Sequence, residues 1–460
     1  MEAKITVNGH TIVAKQGQRL SDVLISNGFS HPRPCGGRGV CGKCKVIVDG
    51  KPELACKYVI ESDITVEISD EGDMLSESGA VTATHGNGTD LVLDIGTTSL
   101  AMALIDRGTK NILKVITSSN PQRRYGADVI SRIEYCQRNG VSELTRLIRE
   151  ETRRMISRLC SDRLETLYVA GNTTMLHIFA GVDPTSMGVA PYTPSFLDEK
   201  LDDADKFEIS GVNNIHLLPS ISSFVGADLV AGIHYVGLPD DKYRLLIDLG
   251  TNAEIILFSK DKVVATAAAA GPCFEGANIS CGMSATSGAI YAYDGKNVKT
   301  VENMPARGIC GTGLVDVIAT LLKRGIIDES GYVEDEEFEV ADGITVTQAD
   351  VRQYQLAKSA IYSAVLTIIK RNGLDFSDIE RLYISGGFSS GIDIENAVFT
   401  GLIPSELKDV CVSLGNSSLL GTIKSAFNNE QLMYITEKSI YTDLSFDPIF
   451  ADLFIENMGF

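Results

Sequence analysis

The sequence predicts a small α+β domain followed by a larger α/β domain made of two similar halves. Short alternating strands, a hairpin dipeptide and one helix are predicted within the first 72 residues. Farther along, a strand, an Asp-x-Gly-Thr turn and a second strand occur twice, which indicates an internal duplication. We expect one domain at 1–72, a linker at 73–89, and two subdomains at 90–240 and 241–460.

The composition and charge exclude several classes of protein. The chain has 460 residues, 44% of them apolar and 22% charged, as is typical of a soluble globular protein. Its formal net charge of −19 argues against binding to nucleic acid or to an anionic membrane. No apolar run approaches the roughly 18 residues of a membrane helix, and the N-terminus lacks a signal-peptide pattern. We therefore expect a cytoplasmic protein.

The first domain has the pattern of a β-grasp-like fold. Strands are predicted at residues 4–7, 11–15, 45–48 and 64–68. Asn8-Gly9 is a strong hairpin dipeptide, and Ser21 is expected to cap a short helix that ends near Gly28. Two hairpin strands, a helix and further strands together predict this α+β arrangement.

Four of the ten cysteines form a C-x5-C-x2-C-x11-C pattern in this domain. They are Cys35, Cys41, Cys44 and Cys56. Four thiolates are the ligand set of a [2Fe–2S] cluster, and glycines in the loop let the backbone approach the sulfurs. A structural zinc site and unligated thiols are the alternatives. Zinc sites usually pair two C-x2-C elements, and only one is present here.

The two Asp-x-Gly-Thr turns are candidate phosphate-binding sites. The residues concerned are Asp94, Gly96, Thr97 and Thr98 in the first turn, and Asp248, Gly250, Thr251 and Asn252 in the second. A turn without bulky side chains lets backbone N–H groups and threonine hydroxyls approach a phosphate chain. An aspartate at the end of each strand supplies hard oxygen ligands for Mg²⁺.

A second pair of segments also repeats. Leu-Tyr-Val-Ala-Gly ends at Gly171, and Leu-Tyr-Ile-Ser-Gly ends at Gly386. Gly386 and Gly387 at a strand end leave room for a purine or its ribose. We therefore expect the two halves to bind ATP together.

These motifs resemble two known families. The cysteine pattern resembles the [2Fe–2S] ferredoxin domains, although plant-type members have one residue fewer between the first two cysteines. Residues 90–460 resemble the superfamily of acetate and sugar kinases, heat-shock chaperones and actin, which implies a duplicated actin-like, ribonuclease H-like ATPase fold. Segments at 226–232 and 415–421 resemble its two connecting helices. The resemblance makes Asp228 a candidate base, with a plain helix N-cap as the alternative.

The fusion of the two domains resembles the reductive activators of corrinoid-dependent methyltransferases. The stretches that carry the resemblance are 120–122, 126–134, 170–175, 269–278 and 308–316. It implies that the cluster takes one electron from a ferredoxin, a flavodoxin or a similar low-potential donor. That electron reduces Co(II) to Co(I) in a corrinoid protein of an anaerobic system, and ATP hydrolysis with Mg²⁺ drives the uphill step. Larger members carry an extra small domain, whereas about 17 residues link the domains here.

Two other functions stay open from the sequence. One is a ferredoxin-tethered small-molecule kinase, and the other is a nucleotide-binding redox-sensing adaptor. A homodimer is possible. Cys273, Cys281 and Cys310 are expected to be buried structural residues, with a second cluster as the alternative.

Overall fold

The computed structural model describes residues 2–27, 44–68, 77–78, 88–160, 162–387 and 389–460. Cys35, Cys41 and Gly28 lie outside the described residues. The chain divides into two compact units, Met1–Phe196 with Lys200–Leu217 and Leu197–Glu199 with Leu218–Phe460. The sequence placed the boundary between the halves after residue 240, whereas the compact units divide before the helix that starts at Ala227.

The first domain contains one five-stranded sheet. Its elements are β1 (Glu2–Val7), β2 (His10–Lys15), α1 (Leu20–Ser26), β3 (Lys45–Val48), β4 (Lys51–Leu54) and β5 (Ile64–Glu67). The strand order is β2-β1-β5-β3-β4. Asn8 and Gly9 both have positive φ, as a tight hairpin turn requires. The predicted Ser21 cap is wrong, because α1 already begins at Leu20 and Ser21 lies buried inside the helix.

This domain has its own apolar core. Ile5, Leu20, Leu24, Ile60 and Val66 are fully buried within it. They come from β1, α1, β5 and the segment before β5, so the helix packs against one face of the sheet. The alternating pattern of β5, with two buried and two exposed residues, is the one expected of a strand with one solvated face.

The first half of the large domain is built on a seven-stranded sheet. Its strands are β6 (Glu77–Ser78), β7 (Thr89–Ile95), β8 (Ser99–Asp106), β9 (Asn111–Ser119), β10 (Leu164–Gly171), β11 (Lys200–Asp203) and β12 (Val212–Leu217). The order is β11-β12-β10-β7-β8-β9-β6. The helices are α2 (Val129–Asn139), α3 (Ser142–Leu159) and α4 (Thr173–Ala180). The short strand β6 falls within the predicted linker and pairs with β9.

The second half has a six-stranded sheet and two smaller ones. Its strands are β13 (Tyr243–Leu249), β14 (Ala253–Phe258), β15 (Val263–Ala268), β16 (Ala289–Tyr293), β17 (Val298–Thr300), β18 (Gly308–Ile309), β19 (Glu337–Ala341), β20 (Ile344–Thr347), β21 (Ile379–Ser385), β22 (Cys411–Gly415) and β23 (Ser439–Tyr441). The orders are β22-β21-β13-β14-β15-β23, β17-β16-β18 and β19-β20.

Helices flank these sheets. They are α5 (Ala227–Val236), α6 (Gly311–Lys323), α7 (Gln348–Arg371), α8 (Ile394–Phe399), α9 (Ser417–Phe427), α10 (Glu430–Glu437) and α11 (Pro448–Glu456). The long helix α7 begins with a capping box formed by Thr347 and Asp350. Within the described ranges, no helix combines the length and apolar character needed to cross a membrane.

The two large sheets confirm the predicted duplication. In the first, β7, β8 and β9 run antiparallel, β10 lies parallel beside β7, and β12 lies parallel beside β10. In the second, β13, β14, β15, β21 and β22 repeat the same order and directions. The predicted fold class, a ferredoxin-like α+β domain followed by a duplicated actin-like α/β domain, is therefore confirmed.

Candidate functional site

The β3–β4 hairpin brings two of the predicted cluster cysteines together. Cys44 lies directly before β3 and Cys56 lies just after β4. Their sulfur atoms are 3.0 Å apart, and both side chains are buried. A backbone hydrogen bond of 2.9 Å from Ala55 N to Cys44 O closes the base of the hairpin. The sheet therefore sets the spacing of these two thiols.

The first Asp-x-Gly-Thr turn joins β7 to β8. Asp94 is buried near the end of β7, which is buried along its whole length. A Cβ atom on Gly96 would lie 2.6 Å from the carbonyl oxygen of Ser99, so only glycine fits there. Thr98 O accepts a hydrogen bond of 2.9 Å from Asn120 N. The backbone of this turn is thus closely packed.

Side chains from three other segments support this turn. Asn120 Nδ2 donates to Gly96 O at 2.8 Å, and Asn172 Nδ2 donates to Thr97 Oγ1 at 3.1 Å. Asn172 is also the N-cap of α4, which starts where β10 ends. The parallel pairing of β10 with β7, in which Gly171 lies opposite Ile95, places that cap beside the turn.

Arg132 of α2 lies behind the first turn and is fully buried. Its guanidinium donates to the carbonyl oxygen of Thr97, to Gly126 O at 3.1 Å and to Gln122 Oε1 at 3.1 Å. An arginine stays charged in proteins, so this half carries a fixed positive charge against the back of the turn. The sequence motifs assign no role to Arg132, although an arginine on the apolar face of a helix is a recognisable signal.

The second turn joins β13 to β14 and has acidic surroundings. Asp248 lies directly opposite Glu254 in the antiparallel pairing, so both side chains are on the same face of the sheet. Ser385 Oγ donates to Asp248 Oδ2 at 2.7 Å, which links the turn to β21. Thr251 Oγ1 donates to Glu275 Oε2 at 2.8 Å.

Gly250 and Asn252, the remaining predicted residues of the second turn, contribute backbone atoms to it. Gly250 N donates to Asn252 O at 3.0 Å and closes the turn. A Cβ atom on Gly250 would meet Asn252 O at 3.6 Å, an ordinary contact, so this glycine is less crowded than Gly96. The two turns therefore share a backbone design but differ in how tightly they are packed.

The pKa of Glu254, which lies beside the second turn, is strongly shifted by its surroundings. Burial raises the pKa of its carboxyl well above the ordinary value, and the charges of Asp248 and Asp228 raise it further. Glu275 adds to the same effect. Sequence reasoning missed Glu254 and Glu275. The signal for Glu254 was a single acid within the otherwise apolar strand Ala-Glu-Ile-Ile-Leu-Phe.

We expect Glu254→Gln to stabilise the nucleotide-free protein increasingly as the pH rises. Because the folded-state pKa is raised, Glu254 costs stability above the ordinary carboxyl pKa, and the neutral amide removes that cost. The two proteins should have the same melting temperature near pH 4, and the variant should melt higher at pH 8. Identical melting temperatures at both pH values would contradict the expectation.

The two glycines predicted to bind adenosine, Gly386 and Gly387, follow directly after β21. Gly386 has φ of +104°, and a Cβ atom there would lie 2.3 Å from Leu249 O. A Cβ atom on Gly387 would meet nothing within 4 Å. Gly386 is therefore required by the close approach of β13, whereas Gly387 faces open space that a flat group can occupy.

Asp228 lies in the first turn of α5. The N-cap of this helix is Gly226, so the alternative that Asp228 is a plain N-cap is wrong. Its Oδ1 accepts a hydrogen bond of 2.9 Å from Leu229 N. Its charge also acts on Glu254, which places it in the same acidic group.

Of the three cysteines near the second turn, Cys273 and Cys310 are buried and Cys281 is half-buried. Burial raises the pKa of the Cys273 thiol to about 12, which disfavours the thiolate that an iron ligand needs. Cys310 Sγ donates to Ile290 O at 3.2 Å. In the part of the chain that the structure describes, no three His, Cys, Asp or Glu side chains form a metal-binding group. Nothing there supports a second cluster.

Three family models together match almost the whole chain. Residues 5–75 match a "2Fe-2S iron-sulfur cluster binding domain", residues 89–241 match the "RACo middle region", and residues 242–460 match the "C-terminal domain of RACo the ASKHA domain". The protein therefore has an iron–sulfur domain and a nucleotide-binding domain of the sugar-kinase and heat-shock type.

Characterised relatives cover most of the chain. The corrinoid activation enzyme RamQ of Eubacterium limosum is 32% identical over 80% of this chain and 70% of its own. The [Co(II) methylated amine-specific corrinoid protein] reductase of Methanosarcina barkeri is 30% identical over 72% of this chain and 68% of its own.

A solved structure extends the likeness to the fold. The structure described as a reductive activator for corrinoid,iron-sulfur protein has a TM-score of 0.73 and 26% sequence identity, and the match covers 99% of this chain and 98% of that one. The matches in sequence and in fold thus agree with the cysteine pair and the duplicated turns. The chain belongs to the family of reductive activators of corrinoid proteins.

Proposed function

We propose that this protein is an ATP-hydrolysing iron–sulfur reductase that returns a corrinoid protein of a methyltransferase system from Co(II) to Co(I). The proposal rests on one observation. A single chain combines a buried pair of thiols on a ferredoxin-like sheet with two duplicated Asp-x-Gly-Thr turns. The functions of two relatives that each match more than two thirds of this chain, a corrinoid activation enzyme and a corrinoid protein reductase, support the same activity.

We assign a [2Fe–2S] cluster to Cys35, Cys41, Cys44 and Cys56. The two thiols that the structure describes fit such a group, because sulfur atoms 3.0 Å apart can bind the same iron ion. Their burial limits access of water to the iron site. When bound, the cluster supplies a carrier for one electron at a time.

We assign ATP to the residues of the two turns and to the end of β21. These are Asp94, Gly96, Thr97, Thr98, Asp248, Gly250, Thr251, Asn252, Gly386 and Gly387. Asp94 and Asp248 are the proposed Mg²⁺ ligands, since carboxylate oxygens suit this ion. Asp228 is the proposed base. It lies in the first turn of α5 and in the same acidic group as Asp248.

ATP hydrolysis is needed because reduction to Co(I) is uphill from ordinary cellular donors. For one electron, each 59 mV of unfavourable potential lowers the equilibrium constant by about tenfold. A low-potential ferredoxin or flavodoxin is the proposed electron donor. We further propose that the protein acts in the cytoplasm as a homodimer, a state that light scattering of the purified protein will test.

Anaerobic reduction of a corrinoid partner tests the function. Reconstituted protein, a reductant and the Co(II) partner should yield Co(I) absorption with Mg·ATP, and far less with a non-hydrolysable analogue or without nucleotide. The partner is to be identified by an anaerobic pull-down with the intact protein. If Co(I) forms equally well without ATP, or never forms with the partner that binds, the proposed function is wrong.

A further inference from the structure

We propose that Glu275 is a positioning residue of the ATPase site, which fixes the hydroxyl of Thr251 so that it receives the attacking water. The inference rests on the proposed ATP hydrolysis and adds a residue that the motifs do not contain. Glu275 follows the second turn by 24 residues, and the two side chains meet only in the fold.

The direction of the hydrogen bond determines what Thr251 can bind. Its Oγ1 donates to Glu275 Oε2 at 2.8 Å, and a hydroxyl has only one proton to donate. The oxygen therefore offers only lone pairs to the site. A phosphate oxygen also offers only lone pairs, so it is a poor partner for this hydroxyl, whereas a water molecule can donate to it.

The hydroxyl of the equivalent residue in the first half has the opposite hydrogen-bonding role: it accepts instead of donating. Thr97 follows Gly96 as Thr251 follows Gly250, and Thr97 Oγ1 accepts a hydrogen bond of 3.1 Å from Asn172 Nδ2. Its own proton is therefore available for a phosphate oxygen. The duplicated turns thus place one hydroxyl that suits phosphate and one that suits water.

The segment that carries Glu275 is held rigidly. Glu275 ends a short 3-10 helix, Pro272–Glu275, and a Cβ atom on Gly276 would lie 2.4 Å from Met283 O. A Cβ atom on Gly311 would lie 2.1 Å from Phe274 O. Ser280 N donates to Asp350 Oδ1 at 2.7 Å and ties the segment to α7. Backbone packed this closely keeps the carboxylate in place before substrate binds.

Glu275 and Thr251 together assist the attack of water on the γ-phosphorus of ATP. The water oxygen bonds to phosphorus, the bond to the bridging oxygen breaks, and ADP leaves with its electron pair. Asp228, the proposed base, accepts a proton of the water, so Glu275 need not accept it. Thr251 contributes by directing one water hydrogen away from the phosphorus, which turns a lone pair toward it.

Steady-state hydrolysis by the intact protein, without a corrinoid partner, tests the inference. Glu275→Ala should lower kcat about tenfold or more and leave KM for Mg·ATP within about twofold, because orientation acts in the transition state. Thr251→Val should have the same effect, and Thr251→Ser should recover much of the lost rate. Asp375→Ala is the matched control. It removes an exposed carboxylate that accepts from Ser377 Oγ, and its kcat should be unchanged.

The double variant separates positioning from a general structural effect. If Glu275 acts through Thr251, Glu275→Ala with Thr251→Val should be no slower than either single variant. Independent, multiplying losses would overturn the inference, and so would a raised KM with an unchanged kcat. Thermal unfolding followed by helical circular dichroism checks that each variant is folded. Wild-type hydrolysis without Co(I) formation would refute the proposed function alone, whereas a wild type that hydrolyses no ATP would refute both.

Discussion

Alanine in place of Gly421 is expected to destabilise the protein by about 1–3 kcal/mol, in spite of the better helix propensity of alanine. A Cβ atom on Gly421 would lie 1.8 Å from Ala231 O, so α9 and α5 must move apart to admit it. The atom that it meets belongs to the backbone of a buried helix and has no rotamer by which to move away. Urea unfolding of the cluster-free protein, followed by helical circular dichroism, measures the loss.

Gly232 is the matched control for this prediction, because it lies in the same pair of helices. A Cβ atom there would meet Ser417 Oγ at 2.9 Å and Leu246 Cδ2 at 3.0 Å, which are the ends of side chains that can rotate. Gly232→Ala should therefore cost clearly less than Gly421→Ala. A Gly421→Ala protein as stable as the wild type would show that the two helices are not held at this separation. Because Asp228 lies in the first turn of α5, the Gly421→Ala variant should also hydrolyse ATP more slowly.

A substitution in the ferredoxin-like domain is expected to abolish iron binding, and a substitution in the large domain is expected to abolish ATP-dependent activity. Cys56→Ala removes one of two thiols 3.0 Å apart, so its iron content should fall from about two per chain to nearly none. Its affinity for Mg·ATP should stay unchanged, because the substitution leaves the nucleotide turns intact. Asp248→Asn should keep the visible spectrum of the cluster and lose at least about 100-fold in ATP-dependent Co(II) reduction, since it neutralises a proposed Mg²⁺ ligand.

Cys411→Ser is the matched control for the loss of iron. Cys411 is a half-buried thiol at the start of β22, and burial raises its pKa to about 12, so it is unsuited to binding iron. Its iron content should equal that of the wild type. Loss of both iron and nucleotide binding in either Cys56→Ala or Asp248→Asn would contradict the assignment of two distinct modules.

Local signals in the sequence were sufficient to predict most of the fold. Asn8-Gly9 predicted its hairpin because both residues accept positive φ at low cost. The repeated Asp-x-Gly-Thr pattern predicted the duplication, since each copy lies between two strands that pair with each other. The Ser21 cap failed because a serine before an apolar run can also be a residue of the first helical turn, and the burial of Leu20 extends the helix backwards.

The candidate site was predictable only where its residues lie in short motifs. Arg132, Asn172 and Glu275 lie in stretches that carry the family resemblance, but they reach the turns from separate segments, and the sequence alone does not reveal such contacts. Two of them are recognisable in retrospect. Arg132 is a charged residue on the apolar face of α2, and Asn172 directly follows the β10 strand end that was identified as half of a repeat.

The opposite charges around the two turns have a consequence for the history of the protein. A gene duplication produces two halves with one electrostatic character, yet Mg·ATP presents both anionic oxygens and a cation. Here the first half retains a buried guanidinium at Thr97, while the second gathers the carboxylates of Asp228, Asp248, Glu254 and Glu275. The two turns have therefore diverged in charge, and exchanging one half for a second copy of the other would preserve the backbone symmetry while removing this difference in charge.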